Sequence, residues 1–330
     1  MSRKSPSTLA AVAVLLLGVA ACGEDAVPSA APGTAAHGPA VMVTTGILGD
    51  VVGNLVGDLA RVETIMPRGA SPHDFHASAQ QGAAIRQADA LVVNGAGFEE
   101  GLHDTIDAAT AEGVPTFEAI SAVDVLHLAD GAHEEGDGHD SEAHESEGHG
   151  GEGVDPHFFT DPSRVRTAAE GIVGFLLAEV PELDAPALRE RADAYLAELA
   201  QLDLDVEAVV APIPADQRTL VTNHEVFGYF ADRYDFEVVG AVIPGGSTQA
   251  EPSAQELAAL AQVVAAEGVP AIFADTSSPA RLAEALAAEV GDVQVVELFS
   301  ESLGPEGSGG ETYVDLVRTN AQRIADALSP

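Results

Sequence analysis

Cysteine is almost absent from this chain. Cys22 is the only one among 330 residues, so no disulfide can form within the chain and an oxidising compartment would not stabilise it through sulfur. Positive charge is nearly as scarce. There are 14 Lys and Arg against 53 Asp and Glu, a formal net charge of -39, and Lys4 is the sole lysine. A surface with so few basic groups is a poor partner for nucleic acid, whose phosphates need them. There is no phosphate-binding P-loop lysine, and the glycines of TTGILGDVVGNL, residues 44–55, lack the G-x-G-x-x-G spacing of a dinucleotide site. H-E-x-x-H is missing, because His224-Glu225 is followed by Val-Phe-Gly-Tyr, and no G-x-S-x-G occurs. No apolar run is long enough to cross a bilayer comfortably, since residues 8–21 fall short of the ~20 required. What remains is a strongly acidic protein that attracts cations.

The chain is long enough for two domains of ordinary size, and 46% apolar residues suffice for packed cores. Its first 22 residues read as an export signal: Arg3 and Lys4, then the short run TLAAVAVLLLGVAA, then Val19-Ala20-Ala21-Cys22. That ending resembles the lipobox of bacterial lipoproteins, in which the cysteine is lipidated and becomes the mature N-terminus. An ordinary signal peptide with an incidental cysteine is the alternative. Residues 23–40, rich in Ala, Pro and Gly, read as a flexible tether in which His37 is idle.

From residue 41 on, apolar runs of strand length alternate with stretches of helical spacing. VMVTTG, VETIMP, ADALVVNG and VPTFEA are strand candidates, with helices expected over 47–62, SAQQGAAIRQA and GLHDTIDAAT. TLVTNH, EVVGAV, AIFADT and VQVVEL repeat the pattern, with helices over 253–268, 278–289 and 311–328. This predicts an α/β fold of two lobes, each with a mainly parallel sheet, and a cleft between them where strand-end loops meet. Helices around 162–180 and 186–209 lie between the two halves, and the second is long enough to be a connector. The expected division is an N-terminal lobe over 41–185, a connecting helix over 186–211 and a C-terminal lobe over 212–330. Residues 127–153 interrupt the first lobe with a low-complexity acidic insert holding His127, His133, His139, His144 and His149. Its composition cannot form a core, but its imidazoles and carboxylates can bind transition metals weakly.

Three histidines stand at element ends: His73 in PRGASPHDFH, His157 in DPHFFTDP and His224 at the end of TLVTNH. One such histidine is more often a satisfied structural residue. Three of them, with no cysteine available, point to a shared metal site, because neutral imidazole is a good ligand for zinc and similar ions. A carboxylate is expected as the fourth ligand, and Asp275 in AIFADTSSP and Glu301 in ELFSESLG are both candidates that spacing alone does not separate. His76 is expected to be exposed or locally paired, and His103 to be solvated.

The blocks GASPHDF, DPHFFTDP, TNHEVFGYFADRY, IFADTSSP and LFSESLGPEGSGGETYVDL resemble the metal-binding lipoproteins of bacterial ABC importers for zinc and manganese, the cluster A-I (or cluster 9) solute-binding proteins. The resemblance runs from about residue 41 to the C-terminus. It implies two Rossmann-like α/β lobes joined by one long rigid helix, with metal held between them. It places metal ligands at His73, His157 and His224, where manganese-type members often have Glu, and at Glu301, where the common residue is Asp. Glu301 is one methylene longer than that Asp, which leaves mono- or bidentate binding open. Asp275 takes a position that often supports the site from behind a ligand. The His-rich insert also fits zinc-type members. The implied function is capture of Zn2+, with Mn2+ as the alternative cargo, and delivery to an ABC membrane permease. The protein would be an extracytoplasmic monomer, lipid-anchored through Cys22, with a zinc chaperone as a further partner. Release would come with small lobe and loop shifts, since a long connecting helix limits the hinge. A zinc hydrolase and a surface adhesin are the competing classes. A hydrolase needs an open coordination position and a general base, for which only Asp275 offers itself.

Overall fold

The apolar runs form the centres of two parallel sheets. The computed structural model describes residues 38–128, 153–249 and 252–329. The export signal with Cys22, most of the tether, and His133, His139, His144 and His149 lie outside the described residues. The first half runs β1 (Ala40–Val43), α1 (Gly46–Val56), β2 (Arg61–Thr64), α2 (Ala79–Ile85), β3 (Ala90–Val93), α3 (His103–Ala111) and β4 (Thr116–Glu118). Two helices follow, α4 (Pro162–Glu179) and α5 (Pro186–Val210). The second half runs β5 (Thr219–Thr222), α6 (Gly228–Tyr234), β6 (Glu237–Ala241), α7 (Ala254–Glu267), β7 (Ala271–Asp275), α8 (Arg281–Val290), β8 (Gln294–Leu298) and α9 (Tyr313–Leu328).

The sheets are ordered β2-β1-β3-β4 and β6-β5-β7-β8, and every strand pair is parallel. The inner strands β1, β3 and β7 are buried along their whole length. That is why they read as unbroken apolar runs and not as alternating ones. In each lobe the connections leave the first strand in opposite directions, so a crevice opens at the carboxyl ends of β1 and β3, and again at those of β5 and β7. The halves also repeat locally: α2 and α7 both start with a capping box, Ser78 with Gln81 and Ser253 with Glu256.

Two expectations need correction. The helix over 47–62 stops at Val56, because Gly57 turns the chain at φ 55°, a left-handed value that favours glycine. The strand β2 therefore begins at Arg61. The helix α6 was not anticipated. Tyr229, Phe230, Ala231 and Tyr234 are buried while Asp232 and Arg233 are exposed, but seven residues are too few for a helical period to stand out in the sequence.

Helix α5 is more than a spacer. Its 25 residues extend about 37 Å at 1.5 Å per residue. Leu188, Ala192, Tyr195, Leu199, Leu202, Val206 and Val210 are buried along it. They join one hydrophobic cluster that also takes in Leu48 and Val52 of α1, Ile172 of α4, Phe230 of α6 and Ile324 of α9. The core is thus continuous from one sheet to the other through α5. Asp203, a buried charge on this helix, is held by Arg233 and by the Tyr234 hydroxyl at 3.0 Å. No helix among the described residues is long and apolar enough to cross a membrane.

Candidate metal centre

His73 lies in the loop after β2, His157 opens the turn before α4, His224 follows β5 and Glu301 follows β8. The fold brings these four together between the lobes. One potential ligand atom from each lies within 4.8 Å of the others. All four are buried, at 1%, 0%, 0% and 2% exposure. Oε1 of Glu301 is the hub, at 2.5 Å from Nε2 of His73, 3.0 Å from Nε2 of His224 and 3.9 Å from Nε2 of His157.

The far side of two imidazoles is anchored by acids that the sequence reading did not single out. Nδ1 of His73 is 2.8 Å from Oε1 of Glu100, and Nδ1 of His157 is 2.7 Å from Oδ1 of Asp155. A carboxylate accepts, so each Nδ1 carries a hydrogen, and each Nε2 faces Glu301, where it would offer a lone pair to a cation once its own proton is lost. Asp155 was visible in D-P-H as an acid two residues before the histidine. Glu100 had no such signal, since it reaches His73 from 27 residues away. Phe98 packs its ring edge-on against both imidazoles, with centroids 5.6 Å from His73 and 5.5 Å from His157.

Electrostatics follow from this packing. Burial alone would raise the Glu301 carboxyl, but the imidazoles of His224, His157 and His73 hold it well below the usual carboxylate range. Burial works to lower His157, and Asp155 and Glu301 overcome it, raising it to about 9. His73 is raised for the same reason, by Glu301 against burial. The site is therefore a buried carboxylate among imidazoles that compete for protons or for a cation.

Asp275 is not one of the four converging groups. Its carboxylate accepts the Ser277 amide at 2.9 Å and the Ser277 hydroxyl, whose oxygen is 3.5 Å from Oε2 of Glu301. Burial and then the Glu301 charge push its carboxyl up. Asp275 thus stands behind Glu301. His76 is exposed, with Nδ1 3.2 Å from the Gly101 carbonyl, and His103 is exposed beside Asp107. His127 pairs with Val154 in a short antiparallel bridge at the base of the insert.

The cleft is closed by contacts between the lobes. Gln249 donates Nε2–H to the His73 carbonyl at 2.6 Å, and the Gly69 amide donates to the Ser302 hydroxyl at 2.8 Å. Arg68 donates to the carbonyls of Gly304 and Glu311. Gly246 passes so close that an added Cβ would meet Leu128 at 2.9 Å and His157 Cε1 at 3.7 Å.

Two α/β lobes on a continuous core, with three imidazoles and a carboxylate buried between them, define a metal-binding protein of the two-lobed solute-capturing class. The chain belongs to the family described as zinc-uptake complex component A, periplasmic (ZnuA), whose model matches residues 41–327. It is similar to the manganese-binding lipoprotein MntA of Halalkalibacterium halodurans, with 28% identity over 96% of this chain and 97% of that protein. It is 30% identical to the zinc-binding protein TroA of Treponema pallidum over 88% of this chain and 89% of that protein. The solved structure of periplasmic zinc-binding TroA superposes with a TM-score of 0.77, 28% identity and coverage of 89% of this chain and 100% of that one. The family consists of metal-binding components of ABC transporters and not of enzymes, and its named members divide between zinc and manganese.

Proposed function

We propose that this chain captures Zn2+ with His73, His157, His224 and Glu301 and delivers it to an ABC permease in the membrane. The observation that carries the proposal is the convergence of three imidazole nitrogens on one buried carboxylate oxygen. Two of those imidazoles have their other nitrogen fixed by an acid. Tetrahedral ligands about 2.0–2.2 Å from an ion lie roughly 3.3–3.6 Å from one another. The four donor atoms, all within 4.8 Å of one another, need shifts of only about 1 Å to take that spacing. A single chain supplies all four, so the site needs no second copy. Anchoring outside the cytoplasm through Cys22 belongs to the same proposal, and the lipoprotein descriptions of several relatives support it.

Zinc is the preferred cargo because nitrogen donors widen its affinity advantage over manganese, which already stands lower in the divalent series. The manganese reading has its own support in the likeness to MntA over nearly the whole chain. A competition titration of the metal-free protein with both ions separates the two. Zinc is expected to win by orders of magnitude. Equal occupancy would overturn the ion choice, and uptake of neither ion would overturn the carrier reading itself.

A further inference from the structure

Glu99 is a buried carboxylate, 4% exposed, in the first lobe's crevice, and its hydrogen bonds go to none of the four converging groups. Its Oε1 accepts the Thr44 hydroxyl at 2.5 Å and the Asn94 amide at 2.6 Å, and its Oε2 accepts the Gly95 amide at 3.3 Å. Thr44 directly follows β1 and Asn94 directly follows β3, so this one side chain ties together the ends of both inner strands. Between Asn94 and Glu99 the backbone takes three left-handed residues in succession, Gly95 at φ 88°, Ala96 at φ 52° and Gly97 at φ 75°. Ala96 pays for that conformation, and such a turn persists only where its surroundings over-determine it. The donors around Glu99 supply that constraint.

Both first-lobe histidines are reached from this node. The next residue, Glu100, orients His73 through Nδ1. The preceding residue, Phe98, lies against the rings of His73 and His157. Asn94, whose amide Glu99 accepts, donates its Nδ2–H to the Pro156 carbonyl at 2.9 Å, one residue before His157. We infer that Glu99 is a positioning residue of the metal centre, which aims Nε2 of His73 and His157 by anchoring the loop that carries Phe98 and Glu100. This rests on the metal-carrier reading and adds to it a residue outside the four converging groups.

The substitution E99Q tests the inference. It keeps shape, but with its oxygen on Thr44 and Asn94 it turns an NH2 group toward the Gly95 amide, a donor that the second carboxylate oxygen accepts. Zinc affinity by chelator competition is expected to fall about 10- to 100-fold, the usual range for groups that orient metal-ligating histidines. The visible spectrum of the Co2+-loaded protein, which reports ligand geometry, is expected to change as well. In a double-mutant cycle the loss from E99Q should shrink once E100A is present, because part of the effect passes through Glu100. A lower melting temperature with wild-type zinc affinity and an unchanged Co2+ spectrum would mean a purely structural role and overturn the inference, as would full additivity with E100A. Should E99Q fail to fold, T44V removes one donor only. It is expected to shift affinity and spectrum in the same direction by less, and a T44V protein identical to wild type in both overturns the inference. If the wild-type protein takes up neither zinc nor cobalt, the carrier reading falls and this inference with it. Wild-type uptake with an indifferent E99Q removes this inference alone.

Discussion

At Glu301 and Asp275 two buried carboxylates of the second lobe carry unequal burdens. Spacing in the sequence left both open as the oxygen ligand, because each follows a short apolar strand. The geometry separates them: Glu301 faces three imidazoles, whereas Asp275 is occupied by the Ser277 amide and hydroxyl. E301Q removes the charge that faces the imidazoles and leaves a weak amide oxygen in its place. It is therefore expected to weaken zinc binding by at least about 100-fold, from loss of a charged ligand in a desolvated site. D275N keeps one accepting oxygen but turns an NH2 group toward the other Ser277 donor, and it is expected to cost about tenfold, acting through Ser277 and the aim of Glu301. Paired chelator competitions measure both, and a larger loss in D275N than in E301Q would reverse the two roles. The three histidines were legible as residues in loops, and as a set through the blocks around them. The acids behind them were not, apart from Asp155 in D-P-H. Glu99 and Glu100 become meaningful only when the β3 loop folds back on β1 and on the loop after β2.

Among the elements, buried strands and long helices were legible because their patterns are strong: β1, β3 and β7 as apolar runs, α5 as a long amphipathic stretch. The end of α1 and the whole of α6 were not. A glycine within a helical period does not announce a left-handed turn, and a seven-residue helix is too short to set a period of its own. The His-rich insert is an element whose ends are fixed. Leu128 donates its amide to the Gly153 carbonyl at 2.8 Å, and Asp155 donates to Leu126 at 2.9 Å. A shortened chain can thus rejoin at the bridge without disturbing Asp155 and His157. Deleting residues 131–150 is expected to leave the tight zinc phase unchanged and to lower total stoichiometry, since His133, His139, His144 and His149 go with it. Their spacing of five or six residues among glycines and acids fits no helix face, so any site they form must be assembled at an entropic cost and is weak. Calorimetry checks this. Loss of the tight phase would mean that the insert supplies a ligand to the cleft, and an unchanged stoichiometry would mean that it holds no zinc.

On the scale of the whole molecule, the acidic excess and the buried site act over different distances. The net charge of -39 is spread over 53 acids and only 14 bases, and its field extends into solvent by about a Debye length, ~10 Å at 0.1 M salt and ~3 Å at 1 M. The four converging side chains are almost fully buried, and in the proposed carrier they would hold an ion by contacts that salt barely screens. The core runs continuously along α5 from one lobe to the other, and in the proposed carrier the ion would enter and leave through local movement, such as that of the Gln249 loop against His73. Capture should therefore be governed by the long-range field and escape by the short-range ligands. The association rate constant for zinc is expected to fall several-fold or more between 0.01 M and 1 M of a non-coordinating salt, while the dissociation rate constant changes by less than about twofold. Stopped-flow measurements with a fluorescent chelator give both constants. A flat association rate would show that the acidic surface serves solubility alone. A dissociation rate that rises with salt would place a screened surface contact in the release step and point to the cross-lobe bonds of Arg68 as the barrier.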